Sequence, residues 1–504
     1  MIEIDGRSLT LGAVIKVAKD YEQVEISDSC ISKMEQSYRT VEGFVNRGEF
    51  VYGVTTGFGA LSHIHIPSEQ THKLQKNLIL SHAAGVGDPL DERIVRSMIL
   101  IRANSLVQGF SGVRVDLVLQ LLRLLNHRIT PIVPGQGSVG ASGDLAPLAH
   151  IAMVLMGEGE VFYNGVRTTA HSAMDQERIA PFHPCQKEGL ALLNGTQLIT
   201  SLLLDTLWSA YRLFEWVLVS ASLSSDALRC STDPFEPILH EIRPHPGQAE
   251  VARIMLGYLQ DSEIRGSHVH CEKVQDAYSI RACPQVLGAV KDTFDYVHSV
   301  AIREANSVTD NPIIAGGKAL SGGNFHGEPV AMVADFLSIA LSELGSITER
   351  RIDRLVNPLV SLLPPFLAKG EKGLNSGYMI WQYTAAALAS ENKSLCFPGS
   401  VDSIPTSGLQ EDHVSMGPVA ASKAGKILRN SQKIVAIELM LATRALQTLN
   451  PMKTGSMLQP FFTQLERLMD PYDFDRFFGN DYQRVLDWMI SNQVEDVLDW
   501  GGVS

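Results

Sequence analysis

The sequence predicts a mainly α protein built around a bundle of long helices, with a small mixed α/β part at its N-terminus. Apolar residues recur at helical spacing over long stretches, roughly 187–224, 286–305, 325–356, 375–395 and 417–449. Runs that favour β-strands are few and short. With 45% hydrophobic and 19% charged residues, the 504-residue chain can also bury a sizeable core.

The first 110 residues carry the mixed α/β pattern, and we assign 111–504 to the helical bundle. Residues 1–60 predict short strands and turns, with VYGVTTGFGAL (51–61) as a Gly/Thr-rich loop. A helix is expected from Ser68, as its capping residue, to Gly85. The next helix covers 91–109, with acidic residues first and Gly109 at its end, and another covers 113–126.

Beyond residue 126 the pattern predicts a helix at 144–156 and then one hairpin. In EVFYNGVRTTA (160–170), Asn164-Gly165 separates two β-favouring runs. The Pro-rich stretch 233–248 either separates two lobes or forms a surface loop, and 460–499 predicts shorter amphipathic helices.

Charge and composition restrict the partners of the chain. Its formal charge of −13 argues against binding to nucleic acid or to an anionic membrane. The longest uncharged apolar stretch, 189–204, is too short and too polar to span a membrane. MIEIDGRSLT lacks the features of a signal peptide, and the six cysteines form no Cys-x-x-Cys pair. We therefore expect a cytoplasmic protein with reduced thiols.

The Gly-rich stretch GSVGASGDLAPLAH (137–150) allows several interpretations. GQGSVG (135–140) matches a dinucleotide-binding fingerprint, but Pro131 and Pro134 cannot both lie in a central parallel strand. Ser142 does not match a serine-hydrolase elbow, because Asp144 stands where the second glycine is required. A flexible turn before a helix remains possible.

A fourth interpretation is backbone chemistry within Ala141-Ser142-Gly143. If the chain bends sharply, the nitrogen of Gly143 can attack the carbonyl carbon of Ala141 and close a five-membered ring. Gly143 has no Cβ to block this approach. Loss of two waters, one of them from the Ser142 hydroxyl, then gives a conjugated methylidene-imidazolone (MIO), which is a strong electrophile. Asp144 is placed to assist proton transfer.

Several further blocks occur in order between residues 52 and 416. They are YGVTTGFG (52–59), NLILSHAAGVG (77–87), GLALLNGTQ (189–197), QDAYSIRACPQVLGA (275–289), GNFHGEPVA (323–331), LNSGYMIWQYTAAALASENK (374–393) and QEDHVSM (410–416). With the Gly-rich stretch, they resemble the aromatic amino acid ammonia-lyase family (the PAL/histidase family), and the histidine-specific members are the most similar.

This resemblance implies a helical bundle of the ammonia-lyase/fumarase-like type. It also implies a homotetramer whose sites combine loops from several subunits, with MIO formed from Ala141, Ser142 and Gly143 and no external cofactor. The implied reaction converts L-histidine to trans-urocanate and ammonia, the first step of histidine degradation. A tyrosine or phenylalanine ammonia-lyase and an MIO-dependent aminomutase remain alternatives. A catalytically silent scaffold of the same fold is disfavoured, because the reactive residues are intact.

The resemblance also assigns roles to site residues. Tyr278 matches the catalytic base, although an ordinary tyrosine has a pKa of about 10 and would need surroundings that ease its ionisation. Arg281, on the same helical face, would bind the substrate carboxylate. Tyr52 matches a second essential tyrosine, and Asn194 matches an amide near the prosthetic ring and the carboxylate. The other matching positions that line the site are Gln275 and Phe325.

His82 and Glu411 predict the substrate. An imidazole ring needs polar partners, because burying each of its nitrogens unpaired costs roughly 1–3 kcal/mol. Glu411 can accept a hydrogen bond from one nitrogen, and His82 can serve the polar side of the same pocket. In the alternative interpretation, Glu411 is ion-paired structurally.

No metal site is predicted. SHVHC (267–271) offers His268, His270 and Cys271, but the spacing fits no standard zinc signature. The chain departs from the usual family pattern at Ala277, where proline is common, at Trp381 and at Gly408-Leu409. These departures concern the shape of the pocket and remove no catalytic group.

Overall fold

The computed structural model describes residues 1–268, 274–371 and 373–499. Twenty α-helices and nine short strands lie within these ranges, and the mainly α prediction is confirmed. The strands are β1 (Ile2–Ile4), β2 (Val24–Ile26), β3 (Val86–Pro89), β4 (Ile129–Pro131), β5 (Pro134–Gln136), β6 (Glu160–Tyr163), β7 (Val166–Thr169), β8 (Ile313–Ala315) and β9 (Lys318–Leu320).

Helices make up most of the protein. The first ten in chain order are α1 (Leu11–Lys19), α2 (Asp28–Asn46), α3 (Thr71–His82), α4 (Glu92–Leu106), α5 (Val115–Asn126), α6 (Leu145–Leu155), α7 (Ala170–Gln176), α8 (Glu188–Leu193), α9 (Gln197–Ala227) and α10 (Pro237–Glu241). The others are α11 (Pro246–Leu259), α12 (Glu263–Gly266), α13 (Tyr278–Arg281), α14 (Cys283–Ala305), α15 (Glu328–Val356), α16 (Met379–Leu395), α17 (Gly417–Gln447), α18 (Gln459–Leu468), α19 (Gly479–Ser491) and α20 (Val494–Asp499).

The strands form four small sheets of two or three strands. The predicted hairpin is confirmed as β6 and β7, and Asn164 and Gly165 have φ of 51° and 76°, as a tight hairpin turn requires. Before the Gly-rich loop, β4 and β5 belong to different sheets, and each pairs antiparallel with its neighbour. In the described ranges, only β1 and β2 pair in parallel, so the sheet that a dinucleotide fold needs is not formed there.

The first 60 residues are more helical than predicted. A β1–α1–β2–α2 arrangement occupies them, and α2 alone has 19 residues. The buried residues of α2, among them Met34, Val41 and Phe44, recur at helical spacing between polar residues. Val41 and Phe44 pack with Val51 and Ile314 in a small core, and this tertiary packing is not visible in the local pattern.

Two predicted helix boundaries were wrong. Residues Ser68–Gln70 form a 3₁₀ turn, and α3 begins only at Thr71. The Ser68 carbonyl accepts a hydrogen bond from the Thr71 hydroxyl, so Ser68 does not cap the helix with its side chain. The predicted stretch 187–224 is divided into α8 and α9 around Asn194-Gly195, and this break brings both residues to the candidate active site.

The chain folds into two compact units. The first unit consists of Met1–Asp205, Val297–Asp335 and Pro398–Ser422, and it contains all nine strands. The second consists of Thr206–Tyr296, Phe336–Phe397 and the chain from Lys423 onward, and its described residues form helices and loops. The division at residue 110 proposed from the sequence stays a prediction.

The helical core of the second unit contains a buried ion pair. The Arg351 guanidinium binds both carboxylate oxygens of Glu438, at 2.5 and 2.8 Å, and both side chains are fully buried. The hydroxyls of Ser220 and Ser224 donate to the same carboxylate at 2.6 and 2.8 Å. These hydrogen bonds satisfy the buried charge, as a helix bundle with a polar group at its centre requires.

Among the described residues, α15 is long and apolar enough to span a membrane by length and composition alone. Two thirds of its most apolar window (67%) is buried inside the protein, which is typical of a core helix. The Pro-rich stretch 233–248 forms a 3₁₀ turn, α10 and the start of α11, all within the second unit.

Candidate active site

The Ala141-Ser142-Gly143 tripeptide lies in the loop between β5 and α6, in the first unit. Gly143 has φ of +70°, and a Cβ added there would lie 2.2 Å from the carbonyl oxygen of Gly195. The next amide, that of Asp144, donates to the same oxygen at 2.7 Å. Only glycine fits position 143, because both the dihedral angle and the close approach exclude a side chain.

Asp144 fixes the end of this loop. Its side chain is fully buried and accepts hydrogen bonds from the Ser138 hydroxyl at 3.0 Å and from the backbone amides of Leu198 and Ile199 at 2.9 and 3.1 Å. Burial raises the pKa of the Asp144 carboxyl to about 7, even though these hydrogen bonds favour the ionised form. A group that titrates near neutral pH beside Gly143 can exchange a proton there.

The tripeptide borders a cavity of about 910 Å³ that is formed within the first unit. Six residues predicted from the sequence to act in one site line this cavity together. They are Tyr52, His82, Ser142, Asn194, Phe325 and Glu411. These residues come from well-separated stretches of the chain, so the fold brings together what the sequence separates.

Glu411 contacts the tripeptide directly. Its Oε1 accepts a hydrogen bond from the Ser142 hydroxyl at 3.0 Å, and its Oε2 accepts one from the Thr406 hydroxyl at 2.6 Å. Hydroxyl groups, rather than the cation of a structural ion pair, therefore bind both oxygens. The backbones of Thr406 and Glu411 also pair across a tight turn.

That turn contains the unusual Gly408-Leu409 pair. Ser407, Gly408 and Leu409 have φ of 51°, 62° and 69°, so three consecutive residues adopt the left-handed conformation. For residues with a Cβ this conformation costs about 1–2 kcal/mol each. The strained turn holds Thr406 opposite Glu411 and so sets the position of the carboxylate.

Tyr52 and His82 both line the cavity, and burial favours the neutral form of each side chain. The Tyr52 hydroxyl accepts a hydrogen bond from the Gly59 amide at 3.4 Å, and burial raises its pKa above the usual value. His82 is the last residue of α3, and its Nδ1 lies 3.1 Å from the Ser81 hydroxyl. Burial lowers the pKa of His82, which favours a neutral imidazole.

Asn194, at the break between α8 and α9, is only 3% exposed. Its Nδ2 donates to the backbone oxygen of Asn311 at 3.0 Å and lies 3.4 Å from Oδ1 of Asp310. The NH₂ group of Asn194 thus donates to the protein, whereas its Oδ1 is buried without a protein partner.

Tyr278, Gln275 and Arg281 line a different cavity, of about 740 Å³, in the second unit. Tyr278 begins α13 and is 72% exposed. The guanidinium carbon of Arg281 lies 4.5 Å from the Tyr278 ring centroid, so the two side chains do share one helical face. Ala277 has φ of −65°, the angle that proline imposes, so the backbone conformation before Tyr278 does not require a proline.

Four residues of the site were missed in the sequence analysis: Ser138, Gly195, Asp310 and Thr406. Ser138 and Gly195 lie within the quoted motifs but were given no role there, whereas Asp310 and Thr406 belong to none of the quoted motifs. Among the residues that the structure describes, no group of three His, Cys, Asp or Glu side chains is arranged to hold a metal ion. His270 and Cys271 lie outside the described residues.

The chain as a whole is similar to known proteins. Residues 9–467 match the family model described as aromatic amino acid lyase. The chain is 46% identical over 506 residues to a histidine ammonia-lyase of Caldanaerobacter subterraneus subsp. tengcongensis, covering 100% of this chain and 99% of that protein.

Two solved structures are also similar. The histidine ammonia-lyase of Trypanosoma cruzi is 38% identical with a TM-score of 0.91, covering 99% of this chain and 95% of that one. The tyrosine aminomutase of Streptomyces globisporus is 34% identical with a TM-score of 0.94, covering 100% and 99%. The fold is therefore shared between relatives that differ in substrate and in product.

Proposed function

The chain belongs to the aromatic amino acid lyase family, and from this membership we propose that it is a histidine ammonia-lyase, which converts L-histidine to trans-urocanate and ammonia. The observation that carries the proposal is the hydrogen bond between Ser142, in the tripeptide, and Glu411, in the wall of the same cavity. It joins the part of the site that would bear the electrophile to the part that would recognise the ring.

The tripeptide fits the prosthetic group MIO. Gly143 is held in a conformation and contact that exclude any side chain, and Asp144 beside it is anchored by three hydrogen bonds. MIO supplies an electrophile for the substrate amine, and so converts a poor leaving group into a better one. We assign Ala141, Ser142 and Gly143 as its source and Asp144 as the group that exchanges protons during its formation.

Glu411 and His82 select the ring. In the unprocessed chain, Oε1 of Glu411 accepts its hydrogen bond from the Ser142 hydroxyl. Dehydration of Ser142 removes that hydroxyl and leaves Oε1 free to accept a hydrogen bond from an imidazole N–H. A phenyl ring offers no such donor, so it would leave Oε1 of the carboxylate desolvated and unpaired. A neutral His82 can pair with the other ring nitrogen.

Tyr278 is proposed as the base and Arg281 as the carboxylate-binding group, supplied by another copy of the chain in a homotetramer. Tyr278 is 72% exposed in the single chain, which leaves its side chain accessible to a second copy. Within one chain the two residues line a cavity that Ser142 does not border. Tyr52, unlike these two residues, lines the Ser142 cavity.

The test is to incubate the purified chain with L-histidine, L-tyrosine and L-phenylalanine and to follow product absorbance and released ammonia. We expect trans-urocanate from histidine and a much lower kcat/KM for the other two amino acids. Intact-mass analysis should show a loss of two waters in wild type and the full mass in Ser142→Ala. Preference for tyrosine would contradict the proposal.

The similarity to a tyrosine aminomutase supports one alternative, in which the amine returns to the β-carbon. Chromatography of the histidine reaction separates the two outcomes, since an aminomutase yields β-histidine and a lyase yields urocanate with stoichiometric ammonia.

A further inference from the structure

Gly195, which packs against Gly143 in the tripeptide, is also enclosed by polar side chains. The two glycines form an isolated backbone bridge, and a Cβ added to Gly143 would meet the backbone of Gly195. The three atoms nearest to a Cβ added at Gly195 itself belong to other side chains. They are Nη1 of Arg102 at 2.7 Å, Oγ1 of Thr309 at 2.6 Å and Oε1 of Gln197 at 2.5 Å. These contacts leave Gly195 little room to move away from the tripeptide.

Arg102, in α4, holds the peptide bond that leads into Gly195. Its guanidinium donates to the carbonyl oxygen of Asn194 at 2.8 Å and also to that of Ala191. Ala191 lies in the last turn of α8 and Asn194 follows the end of this helix, so neither carbonyl has a donor within the helix. One planar, forked side chain therefore fixes the end of α8 and the start of the segment that touches Gly143.

Two further buried charges accompany Arg102. Oδ1 of Asp310 lies 4.0 Å from a guanidinium nitrogen of Arg102, and Oδ2 forms an ion pair with Lys187. All three side chains are at most 1% exposed and belong to the first unit. Burial alone would raise the pKa of the Asp310 carboxyl, but the charges of Lys187 and Arg102 outweigh burial and hold this pKa below its usual value. The ionised carboxylate offsets the cost of burying the guanidinium.

We propose that Arg102, assisted by the Thr309 hydroxyl, is a positioning residue for the formation of the electrophile. It holds the Asn194–Gly195 peptide against Gly143 and so keeps the tripeptide bent for ring closure. The inference rests on the proposed function, and it gives Arg102 no part in the turnover of substrate.

Ring closure is the step that needs this support. The Gly143 nitrogen bonds to the carbonyl carbon of Ala141, and the oxygen of that carbonyl leaves as water with the amide protons of Gly143 and Ser142. The hydroxyl and the α-proton of Ser142 leave as the second water. An amide nitrogen is a weak nucleophile, so the first bond forms only where the two atoms are held close together. If Gly195 moved away, Gly143 would be free to leave its φ of +70°, and ring closure would slow.

Arg102→Lys tests the proposal, because lysine keeps the charge beside Asp310 but replaces the fork with a single nitrogen. Chains made in a short pulse of cell-free synthesis are sampled over time. Intact mass gives the rate at which two waters are lost, and limited proteolysis of the same samples gives the folded fraction. We expect the rate per folded chain to fall about 10- to 100-fold, the range for one lost hydrogen bond to a charged group. Loss of water at the wild-type rate would overturn the proposal.

Arg96 supplies a matched control in the same helix. It is fully buried, and its guanidinium donates to the carbonyl oxygens of Val17 and Leu125, in the last turns of α1 and α5. Arg96→Lys therefore removes an equivalent fork that holds neither the tripeptide nor Gly195. Its rate of water loss per folded chain should stay within twofold of wild type. Equal slowing in the two variants would show a general effect of buried arginines and would overturn the proposal.

Turnover separates a role in formation from a role in catalysis. Once Arg102→Lys chains have lost two waters, kcat for histidine per dehydrated chain should lie within threefold of wild type, because covalent bonds then fix the ring. A larger fall in kcat per dehydrated chain would overturn the proposal, since it would place Arg102 in the turnover of substrate.

Thr309 keeps the test valid if Arg102→Lys does not fold. Thr309→Ala removes the Oγ1 beside Gly195, whereas Thr309→Ser retains a hydroxyl there. We expect the alanine variant to lose water at least threefold more slowly than the serine variant, and equal rates would overturn the proposal. Wild-type chains that never lose water would instead refute the proposed electrophile, and with it the proposed function. The two failures are therefore distinguishable.

Discussion

Glu411 binds two hydroxyl groups at once, and one of them belongs to a residue that we expect to be dehydrated. In the proposed function its role changes when the tripeptide is dehydrated, because Oε1 would lose the Ser142 hydroxyl and could then accept a hydrogen bond from the substrate ring. The Thr406 hydroxyl stays bound to Oε2 and keeps the carboxylate in place. Under this proposal, Glu411 first binds Ser142 in the precursor and then selects the substrate ring.

Glu411→Gln should lower kcat/KM for histidine about 10- to 100-fold, because a hydrogen bond to a charged group contributes about 1.5–3 kcal/mol. Any residual phenylalanine turnover should change much less, since a phenyl ring makes no such bond. Steady-state kinetics with both substrates measures this, with the exposed Glu69→Gln as control. Undiminished histidine turnover would remove Glu411 from the recognition of the ring.

Gly143→Ala tests the tripeptide geometry. An alanine there would place its Cβ 2.2 Å from the Gly195 oxygen and would also have to adopt φ of +70°. We expect a chain of full mass, without the loss of two waters, and no measurable deamination. Gly12→Ala is the control, since Gly12 lies in α1 with open space around its Cβ. Mass spectrometry that finds dehydrated Gly143→Ala protein would contradict this geometric requirement.

At the scale of secondary structure, Asp144 connects two helices. It immediately precedes α6, and its carboxylate binds the first backbone amides of α9. Helix N-termini favour negative charge, but complete burial opposes it and raises the pKa to about 7. The loop that carries the tripeptide is thus tied to α9 by a group whose charge changes near neutral pH.

Asp144→Asn should alter the pH dependence of stability. The folded-state pKa of Asp144 is raised from 3.8 to about 7, so its contribution to stability is present below pH 3.8 and is lost as the pH rises through 7. Asparagine does not titrate. Relative to wild type, the variant should therefore gain on the order of 4 kcal/mol between about pH 4 and pH 8.

Denaturant unfolding across this pH range measures the difference, with the exposed Asp175→Asn as control. If the unfolding free energies of wild type and Asp144→Asn change with pH in parallel, burial does not raise the pKa of Asp144.

Periodicity predicted the long helices, and the Asn164-Gly165 pair predicted the β6–β7 hairpin, since both are local patterns. The second hairpin, β8–β9 across Gly316-Gly317, was not predicted. Periodicity also indicates α2, whose buried residues Cys30, Met34, Ser37, Val41 and Phe44 recur at helical spacing, but the sequence analysis interpreted this stretch as short strands and turns. Periodicity did not place the break at Asn194-Gly195, which depends on contacts with Arg102 and Gly143. The family motifs supplied the residues of the cavity, but their positioning partners, such as Asp310, come from parts of the sequence without a motif.

At the scale of the whole molecule, the proposed machinery is distributed over both units of the chain. The tripeptide, Glu411 and His82 border one cavity, while Tyr278 and Arg281 border another. The sequence could name all of these residues, but it does not show which copy of the chain supplies each one to a given site. Which copy supplies each residue depends on how the chains assemble.

Ser142→Ala and Tyr278→Phe should each be inactive alone, the first without an electrophile and the second without a base. Ser142→Ala chains still carry an intact Tyr278, and Tyr278→Phe chains still carry an intact tripeptide. If each site takes these residues from different copies, random mixed tetramers restore both residues in about one site in four.

Co-expression of the two variants with different affinity tags, followed by tandem purification of the mixed assemblies, provides the material. We expect activity near that fraction of wild type, and the same assemblies should lose it when Tyr278→Phe also carries Ser142→Ala. If every site instead drew both residues from one chain, mixed tetramers would be as inactive as their parents. Tyr278 would then have to reach the tripeptide of its own chain, and the assignment of the base to a neighbouring copy would be abandoned.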